Sequence, residues 1–448
     1  MNKKLLLSAL CALLAAAWCF AAPAEKDQTV WETDVNGKYR VVGTVSAPGA
    51  RAEVGDKITI KLAVETQEEG RFNVVFYVNG EPQGKEKSYN FGETAEFTTV
   101  AKAPGTVSAI GSLVGKDGKP VLNERKRPAS AGVGVLVSPD QIRPGNPNEP
   151  ADFDEFWRKR RAELDKVPIK AERTEVKGHP KFPNVVCYDV QVSCTGDVPV
   201  SGYLCMPRDA KPKSLPAIVT YHGAGVRSAN KQFGNGVKAI AFDVNAHGLP
   251  NGRPESFYKD IYYAGPLKSY YNRGFKNDSE VYFIGMYDRV MRALDYVKSL
   301  PEWDGKTLVV MGGSQGGGQS IAAAGLDPQV TLCCAVVPAL CDLGGGLAGR
   351  RPGWPAPLPP RTKRQNDPAV IARTAYVDGV FFARRIKCPV YISTGLVDQT
   401  CVAPAVFSAY NSLPADTEKH IAVNPVGNHG TSRTQEGIKA VRRQLGFE

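Results

Sequence analysis

A serine between glycines, then an aspartate, then a histidine, in that order along one chain, are the parts an acyl transfer needs. In Gly312-Gly313-Ser314-Gln315-Gly316 the serine follows the apolar run Thr307-Leu308-Val309-Val310-Met311. A Gly-x-Ser-x-Gly directly after a strand reads as a nucleophile elbow, a strained strand-to-helix turn where flanking side chains would clash. Chance supplies such a pentapeptide on the order of 0.2 times in a chain of this composition, so its context decides. The small, helix-compatible residues 316–324 behind it complete the strand-turn-helix setting.

The other parts follow in the required order. Two histidines come after the serine, His420 and His429. His420 opens a strand-like run and reads as a packed or edge residue. His429 lies just past that run in Gly427-Asn428-His429-Gly430, a glycine-bounded loop from which an imidazole can reach the elbow. The run Pro389 to Thr394 leads into Gly395-Leu396-Val397-Asp398, placing Asp398 at the C-terminal end of a strand. Asp342 and Asp378 compete for the acid's role, but neither follows so clear a strand. In such a set Ser314 attacks a carbonyl carbon, His429 takes its proton and returns it to the leaving alcohol, and Asp398 orients the imidazole. Two N–H donors must face the developing oxyanion. The amide of Gln315 and a second from His222-Gly223-Ala224-Gly225, that of Ala224, are expected to supply them. His222 precedes the serine and reads as a loop-shaping residue.

These groups need a scaffold. Ala217 to Tyr221, Val237 to Val244, Val330 to Val337, Pro389 to Thr394 and His420 to Val423 are buried-strand runs. Between the second and third, Ser279 to Leu300 reads as a helix with Tyr287, Val290, Met291, Leu294 and Val297 on one face. Asp152 to Val167 is a second, amphipathic helix, and Val185–Val192 with Val198–Met206 an antiparallel pair. Strands alternating with helices predict an α/β-hydrolase fold, a mostly parallel doubly wound sheet, over residues 152–448. Residues 25–138 differ. Runs such as Tyr39–Val45, Lys57–Val64 and Phe72–Val78 alternate or are β-rich, with an Asn79-Gly80 hairpin signal and no helical window. An all-β, immunoglobulin-like sandwich is expected there, with a structural job. The Pro-rich stretch within 139–151 reads as the linker.

Bulk properties restrict the function. The 448 residues are 42% hydrophobic and 23% charged, as in soluble globular proteins. Residues 1–24 carry Lys3 and Lys4, an apolar run and a small-residue end, the pattern of a signal peptide. A periplasmic or secreted location is therefore expected, with no membrane attachment after cleavage. The net charge of +11 falls to +9 once those two lysines leave. The remaining cations are scattered, so no nucleic-acid partner is expected. The dispersed histidines and cysteines show no metal spacing, and neither metal nor cofactor is expected. Of the later cysteines, Cys187 or Cys194 with Cys205 is the pair worth testing as a disulfide.

Several segments together resemble the acetyl xylan esterase and cephalosporin C deacetylase family (carbohydrate esterase family 7). They are Gly312 to Gly317, Arg385 to Val390 with Gly395 to Cys401, and Val337 to Asp342. The resemblance covers roughly Asp152 to the C-terminus. It implies removal of acetyl groups from sugar hydroxyls, with Ser314, Asp398 and His429 as the triad and an acetylated plant polysaccharide or oligosaccharide as partner. The chain departs from the family's pattern at three places. Ala246-His247-Gly248 replaces an Arg-Gly-Gln segment, Gly430 follows His429 in place of Glu, and Ala224 replaces a tyrosine. The N-terminal β-domain is an addition. Family-style oligomer contacts and the exact sugar are therefore not carried over, though an oligomer remains compatible. The insert Arg350 to Arg361 has two equal readings: a cap on the active-site mouth, with Trp354 stacking on a sugar and its arginines meeting uronates, or an ordinary solvated loop. The competing readings are a peptidase or other esterase with the same triad, and an inactive carbohydrate-binding protein.

Overall fold

The structure, a computed structural model, describes residues 28–276 and 280–448. The expected signal peptide lies outside these residues. The N-terminal part forms two packed sheets. One pairs β1 (Thr29–Val35), β2 (Tyr39–Val45), β4 (Lys57–Glu65) and β8 (Thr94–Val100) in that order. The other runs β3 (Arg51–Ala52), β10 (Ser130–Val137), β9 (Gly105–Gly115), β5 (Gly70–Val78) and β6 (Glu81–Pro82), with β7 (Lys87–Asn90) also on β5. Period-two alternation explains the packing: Ile58, Ile60, Leu62 and Val64 of β4 are buried against Phe72, Val74, Val133 and Val135 of the facing sheet. Asn79 and Gly80 both take positive φ, 53° and 77°, and close the β5–β6 hairpin as the dipeptide predicts.

The rest of the chain builds a nine-stranded sheet. In spatial order it is β11 (Ala171–Glu175), β12 (Val185–Val192), β13 (Val200–Pro207), β15 (Ile240–Asn245), β14 (Leu215–Tyr221), β16 (Trp303–Gly313), β17 (Leu332–Val336), β18 (Val390–Gly395) and β19 (Lys419–Asn424). From β15 to β19 neighbours are parallel, and β11, β12 and β13 add an antiparallel edge. The fold is of the α/β-hydrolase type. Among the described residues, eight helices accompany the sheet: α1 (Phe153–Asp165), α2 (Glu255–Tyr263), α3 (Tyr282–Lys298), α4 (Gln315–Leu326), α5 (Pro368–Ala375), α6 (Gly379–Ala383), α7 (Ala403–Ser412) and α8 (Gln435–Gln444). The expected stripe of α3 is buried in full. α4 is buried almost all round, which its Gly and Ala content permits: Gly318 and Gly325 lie against Ala339 and Phe382 so closely that a Cβ would overlap their carbonyls.

Residues 139–151 are irregular, as their prolines require, but they do not swing free. Ile142 is buried, and the Asn411 amide donates to the carbonyls of Pro139 and Ile142 at 2.8 and 2.9 Å. Gly145 donates to Asp342 at 2.7 Å. The segment is a strap bonded to the α/β part of the chain. The cysteines after residue 24 are all buried free thiols, with Cys187 and Cys205 opposite each other on β12 and β13.

Candidate active site

β16 delivers Ser314 to the head of α4 in a conformation few side chains tolerate, φ 57° and ψ −123°. The glycines around it are steric necessities. A Cβ on Gly316 would lie 2.0 Å from the Tyr221 carbonyl, and one on Gly312 would lie 2.4 Å from the carbonyl of Gly316. The turn is pinned by the Ser314 N–H donating to Val336 at 2.9 Å and by its carbonyl accepting from Ala339 at 2.9 Å.

β18 ends at Gly395 and β19 at Asn424, so the loops after these parallel neighbours emerge side by side. Leu396 N–H donates to Asn424 at 3.0 Å and Val397 N–H to Gly427 at 3.2 Å, tying the two loops together. They bring Asp398 and His429 to the serine. The His429 ring approaches Asp398 Oδ2 through Nδ1 at 2.8 Å and Ser314 Oγ through Nε2 at 3.0 Å. The second carboxylate oxygen accepts from the N–H groups of Thr400 and Cys401 at 2.8 and 2.9 Å. Asp398 is fully buried, whereas the imidazole keeps 34% of its surface open. A buried acid that is wholly hydrogen-bonded, a histidine between it and a serine, and a solvent-facing ring edge are the geometry of an activated nucleophile.

The two competing acids are occupied elsewhere. Asp342 pairs with Arg350 at 2.7 Å and also accepts from Ser408. Asp378 caps α6 and accepts from Asp342 and Leu343 N–H groups. His420 stacks on Tyr391 at 4.6 Å on the far edge of the sheet.

Ser314 and His429 open into a cavity of about 680 Å³ that also includes Gly223, Asn230 and the guanidinium-bearing Arg227 and Arg433. Gln315 is buried at the first position of α4, where no helical carbonyl precedes its N–H. Gly223 faces the nucleophile: a Cβ there would lie 3.5 Å from that of Ser314. Ala224 follows it and is exposed. Sequence reasoning missed what holds this loop. Tyr270 Oη donates to Gln315 Oε1 at 2.6 Å and accepts from the Gly225 N–H at 3.3 Å. His247, in the departing Ala246-His247-Gly248 segment, lies 2.6 Å from Tyr282 Oη through Nδ1 and 3.1 Å from the Gly225 carbonyl through Nε2. Neither tyrosine sits in a motif, so only the folded chain reveals them.

His222 serves the same loop from below. Its Nδ1 lies 2.6 Å from the Gly223 carbonyl, and its Nε2 accepts from the Ala246 N–H at 3.3 Å. Both nitrogens are satisfied in the neutral ring. Burial, reinforced by the charge of Arg227, lowers its pKa to about 4, and burial lowers that of His247 as well. The unfolded chain therefore takes up these protons first as pH falls from the ordinary 6.5, and stability declines until the folded value is passed. His222 alone is worth roughly 3 kcal/mol over that window. Denaturant titrations between neutral and acid pH are expected to show this loss, with a shallower slope in His222→Gln. An unchanged slope in that variant counts against the assignment.

The insert does not behave as a cap. Trp354 packs on Tyr271 and Phe283, with ring centroids at 5.5 and 6.1 Å, and it does not line the Ser314 cavity. Arg350 is buried in its pair with Asp342, Arg361 pairs with Glu81, and Arg351 N–H donates to Asn79 at 3.0 Å. The Trp354 ring and the Arg350 pair hold the insert against the α/β part of the chain, and Arg361 and Arg351 tie it to the β-domain, so it is not held over the mouth.

Comparison with known proteins then places the chain. The model of the acetyl xylan esterase family matches residues 140–442. The chain belongs to that family. It is a carboxylic ester hydrolase and a carbohydrate esterase. An acetyl esterase of Xylanibacter ruminicola is 31% identical over 387 residues, covering 82% of this chain and 84% of that protein. Among solved structures, an acetyl xylan esterase from Paenibacillus sp. R4 aligns with a TM-score of 0.56 at 26% identity, over 68% of this chain and 97% of that one. Acetyl xylan esterase 1 from Thermoanaerobacterium sp. aligns at 0.57 and 25% identity, over 68% and 96%.

Proposed function

We propose that the enzyme removes O-acetyl groups from xylan or xylo-oligosaccharides through a Ser-His-Asp acyl-enzyme, as an exported protein of two domains, the first immunoglobulin-like. One observation carries the mechanism: His429 spans Ser314 Oγ and Asp398 Oδ2 at 3.0 and 2.8 Å. Ser314 Oγ bonds to the acetyl carbon while His429 Nε2 takes its proton. The N–H groups of Gln315 and of Ala224 or Gly223 receive the oxyanion. Collapse expels the sugar hydroxyl, protonated by His429. Water activated by the same imidazole then releases acetate and restores the serine.

The acetyl specificity is supported by the family and by the acetyl esterase relative. The cavity walls fit a sugar. Asn230, Gln232 and Asn235 line the same cavity as the nucleophile with amide groups suited to hydroxyl partners. Acetate release across acetylated xylan, acetylated pectin, sugar acetates, long-chain acyl esters and peptides tests the reading. Fastest turnover on acetylated xylan or its oligosaccharides is expected, and preference for peptides or long acyl chains would overturn it.

Arg227 and Arg433 are exposed on the wall of the same cavity. Charge-assisted hydrogen bonds from such groups contribute about 1.5–3 kcal/mol each to binding an anion. The double change Arg227→Ala with Arg433→Ala is expected to raise KM about tenfold or more for acetylated xylan bearing uronate side groups. KM for neutral sugar acetates should hold. Equal effects on both substrates would show that the arginines do not read charge.

A further inference from the structure

We propose that the β-sandwich is part of the catalytic unit, with Gly134 as a positioning residue that sets the loops carrying Asp398 and His429. Both loops are seated on β10. Gly134 N–H donates to the Pro425 carbonyl at 2.9 Å, extending the pairing of β10 onto the chain just after β19. Its other face lies against Leu396, two residues before Asp398. A Cβ on Gly134 would stand 2.5 Å from the Leu396 Cβ and 2.9 Å from the Leu396 carbonyl oxygen. Contacts that short require movement, and backbone is on the receiving side.

Apolar packing fastens the same two loops. Leu396 is buried with Leu136 of β10, Ile142 of the strap, and Ala403 and Phe407 of α7. Val426, three residues before His429, is partly buried and packs against the core of the sandwich. The Leu396–Asn424 and Val397–Gly427 hydrogen bonds couple the loops, so displacing Leu396 displaces both. The Asp398–His429 and His429–Ser314 distances are thus set partly by a domain that supplies no reacting atom. A free-standing binding module on a flexible tether would make none of these contacts. Misplacement of reacting groups by about 1 Å costs on the order of a hundredfold in rate.

The proposal rests on the triad reading, and its test separates the two. Gly134→Ala is expected to lower kcat ten- to a hundredfold with KM within twofold. The rate of fluorophosphonate labelling of Ser314 should fall in step. Val426→Ala adds no clash, and a severalfold fall in kcat with the same KM pattern is expected. Gly111→Ala is the control. Its Cβ would press on the side chains of Leu62 at 3.1 Å and Phe72 at 3.3 Å, on β4 and β5 inside the sandwich, so any effect should fall on stability while kcat holds. Should Gly134→Ala fail to fold, Val426→Ala decides alone. Unchanged kcat in folded Gly134→Ala and Val426→Ala, or equal kcat losses in Gly134→Ala and Gly111→Ala, would overturn the positioning role. The triad reading would survive that result, and it falls if Ser314→Ala keeps its activity.

Discussion

Ser314→Ala is expected to lower kcat for acetyl-ester hydrolysis by about a million-fold while leaving the fold intact. The side-chain oxygen bonds to His429 Nε2 at 3.0 Å and not to the backbone that holds the elbow, so its removal leaves the turn in place. The elbow is held by backbone bonds to Val336 and Ala339 and by the close approach of Gly316 to Tyr221. Alanine is about as strained as serine at φ 57°, so stability should change by less than about 1 kcal/mol. Residual catalysis would come from the oxyanion donors and substrate binding alone. Circular dichroism and a denaturation midpoint beside the rate separate loss of chemistry from loss of structure. A variant that is folded and retains more than about a hundredth of the activity contradicts the assignment.

Asp398→Asn is expected to cost about ten-thousandfold in kcat with little change in KM, for a different reason. The Thr400 and Cys401 N–H groups demand an acceptor oxygen at Oδ1. An asparagine satisfies them only by turning its NH2 toward His429 Nδ1. That nitrogen must then accept, which leaves the proton on Nε2, facing Ser314. The ring can no longer take the serine's proton. Size and burial are unchanged, so the protein should fold normally. A loss below tenfold would mean that Asp398 neither sets the tautomer nor stabilises the imidazolium.

Strong local signals account for what could be read before the fold was seen. Val185–Val192 and Tyr39–Val45 match β12 and β2 in full, and the β4 and β5 runs differ from the structure by a residue or two at one end, because alternation is imposed by a half-buried sheet. Asp398 and His429 were legible because strand, turn and order coincide. β11 was not: Ala171–Glu175 is exposed at every residue and pairs along β12 without burying a face, so it carries no apolar pattern. α5 and α6 are short and lie among prolines and glycines, where tertiary packing and the Asp367 and Asp378 caps decide. Trp354 misled because an aromatic in a Pro-rich insert has the same local signature on a sugar platform as in a core. Tyr271 and Phe283, distant in sequence, choose between them. The contact of Gly134 with Leu396 spans more than half the chain and leaves no local trace.

The most direct test of the central claim is to map the site of fluorophosphonate labelling and follow acetate release from acetylated xylo-oligosaccharide as labelling proceeds. One phosphonyl group per chain, carried on Ser314, with acetate release falling in proportion to labelling, is the expected result. Label on another residue, or acetate release persisting in fully labelled protein, would contradict the Ser314–His429–Asp398 account.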